Sequence, residues 1–158
     1  MLQVRSRSLA DTQSLAAAIA TLAKRGDLIM LAGEMGAGKT AFAQGFGRGL
    51  GIVEPITSPT FALVHSYAPG RVALHHADVY RLERHHELAD LGLDELLDDG
   101  VVLVEWGDVI GNALGDHLLI SLMTDADDDP TSRLVTITAS GRQWTTRWDR
   151  LIEAVASR

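Results

Sequence analysis

At 158 residues the chain is sized for one domain, and a domain of that length buries roughly 70% of its unfolded surface, enough for a real core. A net charge of −7, with 46% apolar and 22% charged residues, argues against the broad basic face that direct nucleic-acid binding needs. There is no cysteine for disulfide or thiol chemistry, no apolar run near the ~20 residues that span a membrane and no signal-peptide apolar core, so the expected location is the cytoplasm.

Residues 2–7 alternate apolar and polar, which predicts a short edge strand. Ser8 or Asp11 would cap a helix in which Leu15, Ala18, Ile19, Leu22 and Ala23 recur at helical spacing, ending at Gly26-Asp27. Residues 28–31 form an apolar run of buried-strand type, and residues 40–50 read as a helix stopped at Gly51. Gly45, Gly47 and Gly49 crowd that helix, although each costs about 1 kcal/mol relative to alanine. Close packing against the sheet and a mobile partner surface both account for them. Residues 61–67 and 71–78 predict a hairpin through Ala68-Pro69-Gly70. Residues 87–97 are helical with a break at Gly92, and residues 101–104 predict a strand buried on both faces. Two more strands follow at 118–123 and 134–139, separated by an acidic loop at 125–130. The last element is a helix over 144–155 with Trp144, Trp148, Leu151, Ile152 and Val155 on one face. With no linker or repeat, residues 1–158 predict one α/β domain, a roughly seven-stranded mixed sheet flanked by helices, of the P-loop NTPase type.

The chemistry centres on Gly33-Glu34-Met35-Gly36-Ala37-Gly38-Lys39-Thr40, which fits the phosphate-binding pattern of glycine, four residues, Gly-Lys and Ser or Thr. The strand before it and the helix after it are the context that pattern requires. Glycines let backbone N–H groups close around phosphate oxygens, and the helix start adds free donors and positive dipole. Lys39 would reach the β- and γ-phosphates, and the Thr40 hydroxyl would ligate Mg²⁺. Such a loop also needs an acid at a neighbouring strand end. Glu105 follows residues 101–104 directly and Asp78 ends the strand from residue 71. If Glu105 holds the metal, Asp78 would orient or deprotonate the attacking water. Ser58, Pro59 and Thr60 lie on the loop after the phosphate helix, where nucleotide switches close over the γ-phosphate. Trp106 beside Glu105 is either core packing or a reporter of movement there. Arg81 reads as a phosphate contact, a partner contact or an ion pair with Glu83. His75-His76 is a poor chelate, because neighbours on a strand face opposite ways; one histidine would face the nucleotide and the other pack. Asn112 is the only asparagine, so the Asn-Lys-x-Asp element of guanine-specific GTPases is absent and ATP is the expected nucleotide.

Taken together, Gly36-Ala37-Gly38-Lys39-Thr40, Ser58-Pro59-Thr60-Phe61, His76-Ala77-Asp78-Val79-Tyr80-Arg81-Leu82 and Val104-Glu105-Trp106 resemble, in order and spacing, the bacterial tRNA threonylcarbamoyladenosine biosynthesis ATPase family, TsaE. The resemblance covers nearly the whole chain. It implies an ATPase needed for the N6-threonylcarbamoyl modification of adenosine 37 in tRNA, acting on the complex of TsaD and TsaB and meeting tRNA through that complex. It implies Mg²⁺ on Thr40 and Glu105, hydrolysis through Asp78 with Lys39 and Glu105, a switch at Ser58 to Thr60, and Trp106 on a second mobile segment. It further implies that the phosphate loop binds ATP through Met35, Gly36, Ala37, Gly38, Lys39 and Thr40. Leu9, Thr12, Ser132 and Arg133 would lie near the adenosine end. Gly107 and Leu114-Gly115 stand where the family usually has a proline after Glu-Trp and a Leu-Pro, and Gly107 should loosen the second switch segment. Two rivals remain on the residues alone. One is a small-molecule kinase, whose lid would have to use Arg81 and Arg84; the other is a non-catalytic nucleotide switch.

Overall fold

The structure, a computed structural model, describes residues 1–59, 63–68, 70–80, 89–109, 113, 115–125 and 129–158. Seven strands make one sheet: β1 (Leu2–Ser6), β2 (Leu28–Ala32), β3 (Val64–Tyr67), β4 (Ala73–Asp78), β5 (Gly100–Glu105), β6 (His117–Thr124) and β7 (Arg133–Ser140). Their spatial order is β1-β7-β6-β2-β5-β4-β3. The inner strands β6, β2, β5 and β4 are mutually parallel, while β3, β7 and β1 are antiparallel to their neighbours. β2 and β5 are buried along their whole length. That is why both lack alternation: a parallel strand covered on two faces gains from apolar side chains at every position.

One face carries α1 (Leu9–Ala20) and α2 (Lys39–Gly49), packed through Leu15, Ile19, Phe42 and Phe46 against Ile29, Leu31 and Leu103. The other face packs Leu28, Met30, Val102 and Val104 against Leu93 of α3 (Leu93–Asp99). Ser8 caps α1 by accepting from the Asp11 N–H at 3.1 Å, and Asp11 reaches back to the Arg7 N–H at 3.0 Å. Gly92, with φ +64, starts α3 where the sequence suggested a break within a helix; the earlier part of that predicted helix, residues 87–88, lies outside the described residues. Among the described residues no helix is long and apolar enough to cross a membrane.

The glycine-rich helix has a packing cause. A methyl at Gly49 would lie 2.6 Å from the Ala17 carbonyl oxygen and 2.7 Å from Ala17 Cα, and one at Gly45 would run into the Gln13 backbone. One turn apart, Gly45 and Gly49 face α1 rather than the sheet and let the two helices lie backbone to backbone. Gly49→Ala is therefore expected to destabilise by about 1–3 kcal/mol through overpacking, against the ~1 kcal/mol that helix propensity alone would return. A urea midpoint equal to or above the parent's would remove this account.

The C-terminal region departs from expectation. It is two helices, α4 (Arg142–Thr145) and α5 (Trp148–Ala156), not one. Arg147, at φ −110 and ψ 9, breaks the run and turns inward. Its guanidinium donates to Asp27 Oδ2 at 2.8 Å and Asp27 Oδ1 at 2.6 Å, and to the Leu22 carbonyl at 2.7 Å. It also stacks 4.2 Å from the Trp144 ring centroid. Trp144, Leu151 and Val155 are buried, but Ile152 is 40% exposed, since at 100° per residue it lies at the edge of the stripe that Leu151 and Val155 centre.

Candidate active site

β2 runs into the glycine loop, and α2 opens at Lys39. Gly36 and Gly38 hold φ +80 and +106, a region closed to most side chains, and this bends the loop around the start of α2. No side chain caps α2, so its first-turn N–H groups are left for an anion. Lys39 is almost fully buried; its ammonium donates to the carbonyls of Gly33 at 2.6 Å and Glu34 at 2.8 Å. The same Nζ lies 3.9 Å from the Trp106 ring centroid.

Strand register brings in the acids. β2 and β5 pair Leu31 with Glu105, and β4 and β5 pair Asp78 with Glu105. Both carboxylates thus sit at the C-terminal ends of adjacent parallel strands, beside the strand that carries the loop, which is where open α/β sheets place ligands. The Thr40 hydroxyl is 3.4 Å from Glu105 Oε1. Asp78 Oδ1 accepts the Tyr80 N–H at 2.9 Å, which fixes the carboxylate's orientation.

These groups open onto a cleft of about 380 Å³. Its floor is Gly36, Gly38, Lys39 and Thr40, with Asp78 and Glu105 at one side. Met35, Ser58, Pro59 and Trp106 also line it, so most of the predicted site residues converge there. Thr60 lies outside the described residues, as do Arg81 and Arg84. Ser58 is anchored from below: the Thr57 N–H donates to the Tyr67 hydroxyl at 3.3 Å.

Two lining residues were given no role from sequence: Leu63, and Tyr80, which entered only as part of the motif around Asp78. Tyr80 stacks 4.7 Å from Trp106, centroid to centroid. Leu63 and Trp106 are the non-glycine residues with positive φ among those described, at 58° and 62°. Both line the cleft, and backbone held in this region persists only where the surrounding structure enforces it. Gly107 follows Trp106, and a methyl there would lie 2.6 Å from Met30 Cβ. The glycine thus lets the turn after β5 sit directly on β2, a packing role not visible in the sequence.

Burial pushes the Lys39 ammonium below its ordinary pKa, opposed by Glu105, Asp78 and Asp108. Burial likewise raises Asp78 above an ordinary carboxylate; the Tyr80 N–H opposes this, and Glu105 adds to it. The site therefore keeps its charges close and partly desolvated, the condition in which electrostatic positioning is strongest.

Both histidines of the 75–76 pair are engaged, on opposite faces. His75 bridges Ser66 Oγ at 2.7 Å and Asp99 Oδ2 at 2.9 Å, tying β3, β4 and α3 together. His76 is fully buried on the cleft side, with Nε2 2.9 Å from Glu105 Oε1.

The residues assigned to the adenosine end lie outside the cleft lining. Leu9 is 61% exposed at the first residue of α1, whereas Thr12 is buried with its hydroxyl 2.7 Å from Ser6 Oγ. Thr131 donates to the Arg7 carbonyl at 3.3 Å, which draws the β6–β7 turn to the start of α1. Ser132 is buried in that turn. Arg133 reaches across to the glycine loop, donating from Nε to the Ala37 carbonyl at 2.9 Å and from Nη2 to that of Gly36 at 3.4 Å. These contacts tie the β6–β7 turn to the glycine loop.

The strand order, and a glycine loop leading from the central parallel strand into an uncapped helix, define the class: a P-loop NTPase fold. Within that class the family is shown by comparison. Residues 6–134 match the family described as threonylcarbamoyl adenosine biosynthesis protein TsaE, and the chain belongs to it. A tRNA threonylcarbamoyladenosine biosynthesis protein TsaE from Bacillus subtilis is 43% identical, over 85% of this chain and 83% of its own length. One from Streptomyces coelicolor is 41% identical, over 81% and 90%. The crystal structure of Bacillus subtilis YdiB superposes with a TM-score of 0.76 at 36% identity, covering 99% of this chain and 94% of that one. Membership places the chain in tRNA threonylcarbamoyladenosine biosynthesis.

Proposed function

We propose that the chain is a Mg²⁺-dependent ATPase that serves tRNA threonylcarbamoyladenosine formation by acting on a TsaD–TsaB complex, and through it on tRNA. The observation that carries this reading is the convergence of Lys39, Thr40, Glu105 and Asp78 on one cleft beneath an uncapped helix N-terminus. The donor set suits its cofactors. Free N–H groups and an ammonium suit phosphate oxygens. The Thr40 hydroxyl and Glu105 carboxylate are hard oxygen donors that suit Mg²⁺. When bound, Mg²⁺ supplies neutralisation of the phosphate charge.

The chain's own residues do the rest. Lys39, on its short tether to the loop carbonyls, turns its charge to the terminal phosphates. Thr40 and Glu105 hold the metal. Asp78, oriented by the Tyr80 N–H and raised by burial, accepts a hydrogen bond from the attacking water and takes its proton. Ser58, Pro59 and Thr60 form one closing segment and Trp106, held in a strained turn, the other. Hydrolysis then resets the partner complex. With a net charge of −7 the chain lends little to tRNA binding, so the basic surface belongs to the partners.

The test is ATP hydrolysis with Mg²⁺ by the purified protein, alone and with its cognate TsaD–TsaB pair. Slow turnover that rises with the pair and disappears in Glu105→Ala supports the whole reading. Turnover indifferent to the pair would leave an ATPase and remove the partner. Transfer of phosphate to a small acceptor would favour a kinase instead. Lys39→Ala is expected to weaken ATP binding or abolish hydrolysis with its circular dichroism spectrum unchanged, because the ammonium meets loop carbonyls and the Trp106 ring at the cleft and is in neither apolar cluster of the core. A melted variant would make the lysine structural.

A further inference from the structure

We infer that His76 is a positioning residue for the metal-holding carboxylate, an inference that rests on the ATPase reading above. His76 Nε2 lies 2.9 Å from Glu105 Oε1, the same oxygen that is 3.4 Å from the Thr40 hydroxyl. One oxygen is thus shared by the imidazole and the threonine, which sets the carboxylate's rotation at the end of β5. The strand lattice makes the contact rigid: His76 pairs with Leu103 across β4–β5 and with His65 across β3–β4. The carboxylate partner requires the ring to carry its proton on Nε2. Nδ1 is buried and has no hydrogen-bond partner among the described residues. An imidazole buried with half its polar edge unpaired is a poor choice for stability, since an apolar side chain of similar volume would not incur that desolvation cost. Among the described residues the one hydrogen bond His76 makes is the one to Glu105, so the contact is what the histidine supplies. His76 and Asp78 are two apart on β4 and face the same side. One strand therefore holds Glu105 in place and carries the hydrolytic acid.

The experiment measures Mn²⁺ affinity by electron paramagnetic resonance with a non-hydrolysable ATP analogue present, and analogue affinity separately in EDTA. His76→Leu removes the N–H donor and is expected to weaken Mn²⁺ about 10–100-fold, the usual effect of losing an outer partner of a metal ligand, with metal-free analogue binding unchanged. His76→Gln, whose amide N–H extends to about the Nε2 position, is expected to restore most of the Mn²⁺ affinity. Unaltered Mn²⁺ affinity in His76→Leu, or an equal loss in His76→Gln, overturns the inference. If His76→Leu does not fold, His76→Asn, too short to reach Glu105, takes its place with the same expectation. If the parent protein binds the analogue but no Mn²⁺ with it, the metal reading of Thr40 and Glu105 fails first, and the role of His76 falls with it.

Discussion

Asp78→Asn is expected to leave ATP binding intact and to lower turnover by about 10²–10⁴-fold, the effect of losing a positioned general base. The substitution is close to isosteric, and its amide oxygen can still accept the Tyr80 N–H that orients Asp78. What it removes is the ability to take a proton. Its effect on stability should run the other way. A carboxyl whose pKa is raised on folding binds its proton more tightly in the folded state, so its charge opposes folding at neutral pH. Burial raises Asp78, with Glu105 at the paired position adding to the rise. The neutral variant should therefore melt at or above the parent temperature. Low turnover with an undiminished melting temperature is the pattern of an acid kept for chemistry at the expense of stability. Unchanged turnover would mean that Asp78 is not the hydrolytic group, and the water would need another acceptor.

Arg147→Ala is expected to cost about 3–5 kcal/mol, because it strands a buried carboxylate. For a chain of this length that is a fall of roughly 6–20 °C in melting temperature. Asp27 is 2% exposed and Arg147 8%. The guanidinium meets both carboxylate oxygens, leaving the Asp27 carboxylate, among the described residues, with only the Lys24 N–H, at 2.7 Å, once the arginine is gone. The variant also loses the contact with the Leu22 carbonyl and the stack on Trp144. Combining Arg147→Met with Asp27→Asn should recover much of the loss, since the asparagine can still accept from Lys24 while no charge is left buried. An equal loss in the double variant would show that packing around Trp144, not the stranded charge, sets the cost. Asp27 immediately precedes β2, so the pair fastens the C-terminal helices to the strand that feeds the phosphate loop.

The phosphate loop and its two acids were legible because local patterns specify them. A fixed glycine spacing, a lysine and threonine at a helix start, and acids directly after apolar runs are all short-range features. Strand positions followed for a similar reason. β2 and β5 are buried on both faces, so each is an unbroken apolar run. The family resemblance worked from the same short segments, taken in order.

What sequence left open depended on contacts between distant segments. The glycines of α2 were ambiguous until Gly45 and Gly49 were found against Gln13 and Ala17 of α1. Gly107 looked like a loosening substitution, yet its missing side chain is what lets the turn rest on Met30. The break between α4 and α5 was invisible because Arg147 lies in a stretch of good helical periodicity. At the break its guanidinium meets a carboxylate 120 residues earlier in the chain. His76 carried no readable sign of its partner, since only strand register sets it beside Glu105. Residue spacing by itself thus pointed to the residues that line the candidate cleft and to the class of fold, because helix, strand and loop chemistry act over a few residues. The tertiary structure alone decided which groups hold the inventory in place, because desolvation, close backbone approach and ion pairing depend on neighbours that the chain brings together only when folded.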